Sequence, residues 1–448
     1  MPASERPAQA APVAAEIAEQ RTPAWRRYLG ALGPGLVTGA ADDDPSGIAT
    51  YAQAGSAYGF NAIWSLALCL PLMISVQLLA DRTALVTGKS LGALALERYG
   101  RVGRRVVGGL LVAQLATNVL NAAADLAAVG AGVHLLHLGP AWVWSPIAGG
   151  VATVLLVKGS FPFVARAFNA LALALISYVA VLVIAHPHWA ELAVRTVAPQ
   201  VHADKAYMML IVAVLGTTIS PYMLFWQSGH RIEEMRSEPV GGSEPTPLRR
   251  RWWRSARFHR RVEVLDVVSG MGFSQIVSFS IMAATAITLG AHHAQNIQSA
   301  SQAAQALKPV AGRFAELLFA LGFIGSGMLA IPVLVGSASI GISSLMGKRW
   351  GFSRPFREAP LFYWLIIAAT LGATVLSVLP VNLIALLVVV AFVNGVLAPA
   401  FLLLLMRLAG DRRLMTGHRP HAAARIGGWV ATVVMSAAVV LVVAMQFV

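Results

Sequence analysis

Charge is what this 448-residue chain has least of: only 12% of its residues are Asp, Glu, Lys or Arg, against about 25% in a typical soluble domain. With 57% hydrophobic residues and a mean hydropathy of +0.67, most of the chain must face lipid or other helices. No stretch outside the apolar runs is suited to fold as a soluble domain. Cysteine is almost absent. Cys69 stands alone inside an apolar run, which excludes a disulfide framework and reads as a small buried residue. The polar first 20 residues lack the apolar core of a cleaved signal peptide, so targeting is expected to rest on the first membrane span. Strand-like alternation is missing too, which excludes a β-barrel.

The runs that are present predict an all-α integral membrane protein of about eleven spans: roughly 29–54, 58–80, 106–137, 141–157, 161–185, 206–230, 264–290, 314–346, 359–379, 381–406 and 425–447. Each can cross a hydrocarbon core of about 30 Å at about 1.5 Å per residue. The least marked is 381–406, where Leu379-Pro380 must form a tight turn after the ninth span. With the N-terminus cytoplasmic and the C-terminus outside, all but four of the 34 Lys and Arg fall on the inner side; the four are Arg195, Lys205, Lys308 and Arg313. That asymmetry is the positive-inside rule, and it places the chain in a bacterial-type inner membrane. The net charge of +14 is then a matter of topology, with no nucleic acid implied.

The chain divides into a cytoplasmic tail (1–28), a first repeat with the sixth helix (29–230), a basic cytoplasmic loop (231–262) and helices seven to eleven (263–448). The loop contains RRRWWR at Arg249–Arg254, expected to lie against anionic headgroups. Its front, with Pro239, Gly241, Gly242, Pro245 and Pro247, is expected to be disordered. No obligate protein partner is evident.

The chemistry is concentrated in the first span, GPGLVTGAADDDPSGIATYAQAG from Gly33 to Gly55. One carboxylate at the centre of a membrane helix costs on the order of 2.5–3.5 kcal/mol on insertion scales. Asp42, Asp43 and Asp44 in a row therefore demand a polar cavity or a bound cation. Pro45 removes a backbone donor, and Gly47 adds freedom, so the helix is expected to break over 41–47 and expose carbonyl oxygens beside the carboxylates. Such backbone is tolerated at membrane depth only around a buried or watery site, and its oxygens suit a hard cation. A second interruption, GTTISPYMLFWQ from Gly216 to Gln227, puts Pro221 about 15 residues into the sixth span, as Pro45 is in the first. Five spans separate the two, and an odd number reverses direction. Paired breaks in oppositely oriented halves mark inverted-repeat transporters, with substrate bound where the breaks meet.

Two other functions compete. A membrane prenyltransferase needs a second Asp-rich motif, and no such pair occurs within the other spans. An organic-solute symporter on the same fold holds carboxylates at helix N-termini; three acids at the break would repel an anionic substrate.

These residues resemble the natural resistance-associated macrophage protein (Nramp) transporters. The family motif DPGN followed by A-T-x-x-Q-A-G corresponds to Asp44-Pro45-Ser46-Gly47, Ala49-Thr50 and Gln53-Ala54-Gly55. Its sixth-span M-P-H corresponds to Ser220-Pro221-Tyr222, and its third-span D-L-A-E to Asp125-Leu126-Ala127-Ala128. The last four spans match in hydropathy only. The resemblance implies two inverted five-helix repeats of the LeuT type with helices one and six broken, plus an eleventh helix. It also implies a transported divalent metal rather than an enzymatic reaction or a resident cofactor. The metal would be bound by the Asp44 carboxylate and the carbonyls of Ala41 and Thr217. The family's Asn ligand is Gly47 here, and its Met thioether is Ser220. Losing a soft thioether and shrinking Asn to Gly leaves a wider, all-oxygen site with room for water, which suits Mg²⁺. The pattern resembles the Nramp-related magnesium transporters; Mn²⁺ also accepts oxygen ligands.

The family's proton route uses the sixth-span His and the third-span Glu, replaced here by Tyr222 and Ala128, so transport is expected to be uncoupled from protons. Asp42, Asp43, Asp125 and Tyr222 remain candidate ion-path residues. Asp42 and Asp43 are expected to line the approach and concentrate cations by their field. Asp125 reads as a hydrogen-bonded packing residue, a second cation contact or a relic. His186, His188 and His202 form no zinc spacing, and His292-His293 is too small a ligand set by itself. Gly325-Ser326-Gly327 and Pro332 suit close packing or a bend in the eighth span.

Overall fold

The computed structural model describes residues 33–158, 175–176, 178–202, 204–238, 244–251, 253–288, 315–415 and 417–445. All regular structure among them is helical. The first expected span forms two half-helices, α1 (Gly33–Asp42) and α2 (Pro45–Tyr58). α1 stops because Pro45 has no N–H for the preceding turn and its ring crowds that turn. α2 starts because Asp44, extended at φ −67° and ψ 169°, accepts the Gly47 N–H at 2.8 Å as an N-cap. The break is therefore narrower than expected: only Asp43 and Asp44 leave the helix.

α3 (Trp64–Thr87) ends at Gly88, whose φ of +68° is the left-handed geometry of a helix cap. α4 (Leu91–Leu135) kinks at Gly100, which separates a short leading segment, 91–99, from the longer helix that contains the span. α5 (Ala141–Lys158) follows. The fifth expected span, 161–185, lies mostly outside the described residues, though 178–184 are helical. After the short α6 (Trp189–Val197), the sixth span is broken as predicted, into α7 (Lys205–Thr218) and α8 (Pro221–Ser237). The remaining helices are α9 (Trp253–Thr288), α10 (Ala315–Leu345), α11 (Pro360–Leu376), α12 (Leu383–Gly410) and α13 (Ala422–Ala444).

Among the described residues, 8 helical stretches are long and apolar enough to cross a membrane. They coincide with eight of the expected spans, including 381–406, which forms α12 with Asn382 as its cap. The other three correspond to the broken α1–α2, the 161–185 segment and the 17-residue α11. Large apolar side chains such as Val106, Trp142 and Val433 are more than half exposed, an arrangement that lipid, not water, favours.

Two close approaches place the site. A Cβ added at Gly39 in α1 would fall 2.0 Å from the Gly270 carbonyl oxygen, so α1 and α9 touch backbone to backbone. On α10, a Cβ at Gly327 would lie 3.0 Å from the Asp125 carbonyl oxygen and 3.4 Å from the Pro45 ring. The eighth span thereby closes over the break.

The far ends of these helices carry a buried ionic network. Arg231 on α8 grips Asp81 on α3 through Nε (2.5 Å) and Nη2 (2.7 Å), and it also pairs with Glu234. Gln227 donates to the same Asp81, while Arg82 pairs with Glu263 of α9 at 2.6 Å. Nearby, Glu233 accepts the Ser353 N–H at 2.9 Å and Arg236 at 2.7 Å; Arg236 also donates to the Trp350 carbonyl. The basic segment differs from expectation here. α8 runs on to Ser237 and α9 begins at Trp253, so both ends of 231–262 are helical. Pro245 and Pro247, expected in a disordered front, are placed against Gly88, and Leu248 is buried; Pro239, Gly241 and Gly242 lie outside the described residues. Arg251 is withdrawn from any headgroup by Glu238 at 2.6 Å, whereas Arg249 and Arg250 are exposed.

Candidate functional site

A helical carbonyl is normally satisfied by the N–H four residues on. For Ala41 that residue is Pro45, and for Thr217 it is Pro221; neither has an N–H to give. The two prolines therefore free one carbonyl on each broken helix at equivalent places. The breaks meet at Gly47. A Cβ there would lie 3.3 Å from Thr217 Oγ1 and 3.5 Å from the Asp42 carbonyl oxygen. Thr217 Oγ1 is buried without a hydrogen-bond partner among the described residues.

Asp44 sits at this meeting point, fully buried. Its Oδ1 accepts the Ser46 hydroxyl at 2.5 Å and the Gly47 N–H at 2.8 Å. Its Oδ2 accepts the Asn121 side-chain amide of α4 at 3.0 Å and the Tyr222 hydroxyl of α8 at 3.2 Å. Asp44 thus ties the first, third and sixth spans together. Ser220 is close by but oriented differently from an open ligand: its hydroxyl donates to the Thr217 carbonyl at 2.6 Å and the Gly216 carbonyl at 2.9 Å. Its hydroxyl therefore covers the carbonyl that Pro221 leaves without a backbone donor.

Three adjacent carboxylates diverge. Asp42 and Asp43 turn away from Asp44, toward Ser274 (3.3 Å) and Ser278 (2.7 Å) on α9. Both are buried. Asp125 lies one helical turn beyond Asn121, and neither of its oxygens has a hydrogen-bond partner among the described residues. Arg354, which precedes α11, pairs with Glu244 and Glu358. Among the described residues, no three His, Cys, Asp or Glu side chains gather as a protein-only metal cage. The arrangement instead offers one carboxylate with neutral oxygens, which suits a partly hydrated hard cation. His292 and His293 lie outside the described residues.

Sequence reasoning missed Asn121, Ser274, Ser278 and Tyr51. The signal for the serines was their i, i+4 spacing, which puts both on one helix face. Tyr51 meets Thr218 Oγ1 at 3.2 Å. Because the Thr218 proton is committed to the Val214 carbonyl, Tyr51 is the donor. A cavity of about 460 Å³ lies between α2, α7 and α12, lined by residues including Gln53, Tyr58, Leu210, Asn382 and Phe392.

A bundle of membrane helices broken twice around a carboxylate has the build of a transporter, not of an enzyme. A family profile described as "Natural resistance-associated macrophage protein-like" matches residues 35–445, and the chain belongs to that family. Among curated relatives, a protein of Ralstonia nicotianae named "Divalent metal cation transporter MntH" is 28% identical over 407 residues, covering 88% of this chain and 86% of that one. One of the same name from Granulibacter bethesdensis is 25% identical and covers 93% and 87%. Among solved structures, an Eremococcus coleocola manganese transporter superposes with a TM-score of 0.71 at 15% identity, over 93% of this chain and 86% of that one. A nucleobase-cation-symport-1 family transporter in a closed conformation gives 0.51 at 12%, with 93% of each chain covered. These two share the fold.

Proposed function

We propose that the chain carries a divalent metal cation, Mg²⁺ or Mn²⁺, across a bacterial plasma membrane by alternating access. The observation that carries this reading is the pair of proline-freed carbonyls, Ala41 and Thr217, on either side of the Asp44 N-cap. The ion is bound by Asp44 and these carbonyls, with Gly47 and Ser220 leaving space for retained water. Ser220 releases the Thr217 carbonyl when metal arrives. The relatives' printed name, divalent metal cation transporter, favours the same cargo.

Eleven spans form two inverted five-helix repeats and one further helix, with the N-terminus inside and the C-terminus outside. The charge asymmetry and the matched depth of Pro45 and Pro221 support this arrangement. The cavity bounded by α2, α7 and α12 then lies on the outer side, while Glu233 and Arg236 fasten α8 to residues 350–353 on the inner side. That combination describes a state closed to the cytoplasm. Exposed Arg249 and Arg250 meet anionic headgroups. The all-oxygen donor set favours Mg²⁺, and Tyr222 and Ala128 in place of the family's His and Glu leave the cycle uncoupled from protons. An organic-solute symporter shares the fold, but a carboxylate at the break disfavours an anionic substrate. Uptake into proteoliposomes with Mg²⁺, Mn²⁺ and Ca²⁺ in competition tests the reading. Saturable uptake of Mg²⁺ or Mn²⁺ supports it, and uptake of none of them refutes it.

A further inference from the structure

We propose that Arg101, Arg104 and Arg105 of α4, beside the end of α10, bind the phosphodiester headgroup of an anionic phospholipid in the inner leaflet. The proposal rests on the orientation given above only in naming that leaflet. The site starts at Gly100, whose φ of +55° bends the chain so that the longer helix begins at Arg101. All three arginines are exposed. With Gly108 they follow an i, i+3, i+4, i+7 spacing, which puts them on one helix face. Contacts locate that face. A Cβ at Gly108 would lie 3.6 Å from Cδ2 of Leu345, the last residue of α10, and one at Gly347 would lie 3.9 Å from Leu96 Cδ2. The turn that leaves α10 carries exposed Lys348 and Arg349, which add positive charge to the same edge.

Like charges at these spacings repel one another. Among the described residues, no carboxylate pairs with any of the three arginines or with Lys348. The acids of the adjoining segments are already taken: Glu97 by Lys89 at 2.6 Å, Asp411 by Arg98 at 2.5 Å and Glu358 by Arg354 at 3.2 Å. Arg349 reaches Glu358 only at 3.9 Å. An anion from outside the chain relieves this repulsion.

The guanidinium fork matches the paired oxygens of a phosphodiester. What makes the anion a lipid is the surface that adjoins the arginines. Val112, two helical turns on from Arg105 along the same edge, is 61% exposed, and Val102 and Val106 are 69% and 60% exposed. Val119, two turns further along that edge, meets α11: a Cβ at Gly372 would lie 3.6 Å from its Cγ1. An apolar track therefore leads away from the charged end, as an acyl chain requires. A soluble phosphate gains nothing from such a track.

The test is native mass spectrometry of the full-length protein in a neutral detergent, titrated with dioleoyl phosphatidylglycerol or dioleoyl phosphatidylcholine. The first phosphatidylglycerol should bind more tightly than the first phosphatidylcholine by roughly tenfold or more. Arg104→Gln/Arg105→Gln should weaken that phosphatidylglycerol by roughly fivefold or more and leave phosphatidylcholine unchanged. Arg105→Gln alone, at an exposed position, should weaken it by roughly threefold, so the result does not hang on the paired variant. Arg419→Gln/Arg425→Gln removes the same charge from exposed positions at the start of α13 and should leave the affinity unchanged. Equal affinity for the two lipids overturns the site. So does a phosphatidylglycerol affinity that Arg104→Gln/Arg105→Gln leaves unchanged, or that Arg419→Gln/Arg425→Gln lowers as much. Displacement of the lipid by millimolar inorganic phosphate also overturns it, since the arginines would then serve a soluble anion. No metal uptake enters this measurement: failure here leaves the transport reading standing, and a chain without uptake can still bind the lipid.

Discussion

Asn121 on α4 donates its side-chain amide to Asp44 Oδ2 across 3.0 Å, fastening the third span to the break in the first. A hydrogen bond to a charged group contributes about 1.5–3 kcal/mol. Asn121→Ala should therefore raise the KM for metal uptake by roughly tenfold or more, since each 1.4 kcal/mol is about tenfold. The chain should still fold, because Asp44 keeps three other partners. A wild-type KM in reconstituted Asn121→Ala protein would remove Asn121 from the site.

Selectivity should follow ligand softness. Ser220→Met deletes the hydroxyl that covers the Thr217 carbonyl and supplies a thioether. Gly47→Asn places an amide beside Thr217 Oγ1. Together they should shift preference toward Mn²⁺ or Cd²⁺ and weaken Mg²⁺ transport. Competition uptake reads the Mg²⁺/Cd²⁺ ratio, and an unchanged ratio would show that positions 47 and 220 do not face the ion.

Metal uptake should move no protons. Tyr222 serves Asp44 as a hydrogen-bond donor through its phenol, and a tyrosine side chain in water titrates only near 10; Ala128 cannot titrate. Asp125 has no hydrogen-bonded relay partner among the described residues. A pH-sensitive dye trapped in proteoliposomes should stay constant during Mg²⁺ or Mn²⁺ uptake. Luminal acidification that depends on metal and vanishes in Asp125→Asn would contradict this.

Stability should depend on the ionic network at the ends of α3, α8 and α9. Asp81→Ala removes the partner of Arg231 Nε and Nη2 and leaves the buried guanidinium with Glu234 at Nη1 and only a long contact to Asp266. Breaking a buried pair on one side costs about 3–5 kcal/mol, so thermal unfolding of the detergent-solubilised variant should come well below that of the wild type. Arg249→Ala, at an exposed position, should leave the melting temperature unchanged. Equal melting temperatures for wild type and Asp81→Ala would mean the network contributes little.

Proline leaves a plain mark in a sequence, and so the two helix breaks were legible: a missing N–H at 45 and 221 leaves the carbonyls of Ala41 and Thr217 without their usual backbone donor. The partners of Asp44 were not. Asn121, Ser274 and Ser278 are neutral polar residues inside apolar spans, and which carboxylate each reaches is decided by tertiary approach. The Gly39–Gly270 contact brings α9 against Asp42 and Asp43; it turns two residues expected along an approach path into buried ones. Charge counting predicted an inner basic segment without revealing that Arg231 and Arg251 fold back onto acids. Eight spans were legible from hydropathy because length and apolarity suffice there.

The most direct measurement for the account as a whole is Mn²⁺ and Mg²⁺ uptake by Asp44→Ala protein in proteoliposomes, after size-exclusion chromatography has shown it folded. Removing the one carboxylate at the meeting point of the breaks should reduce uptake to the level of empty liposomes for both ions. Near-normal uptake by a folded Asp44→Ala protein would contradict the assignment of the transport site.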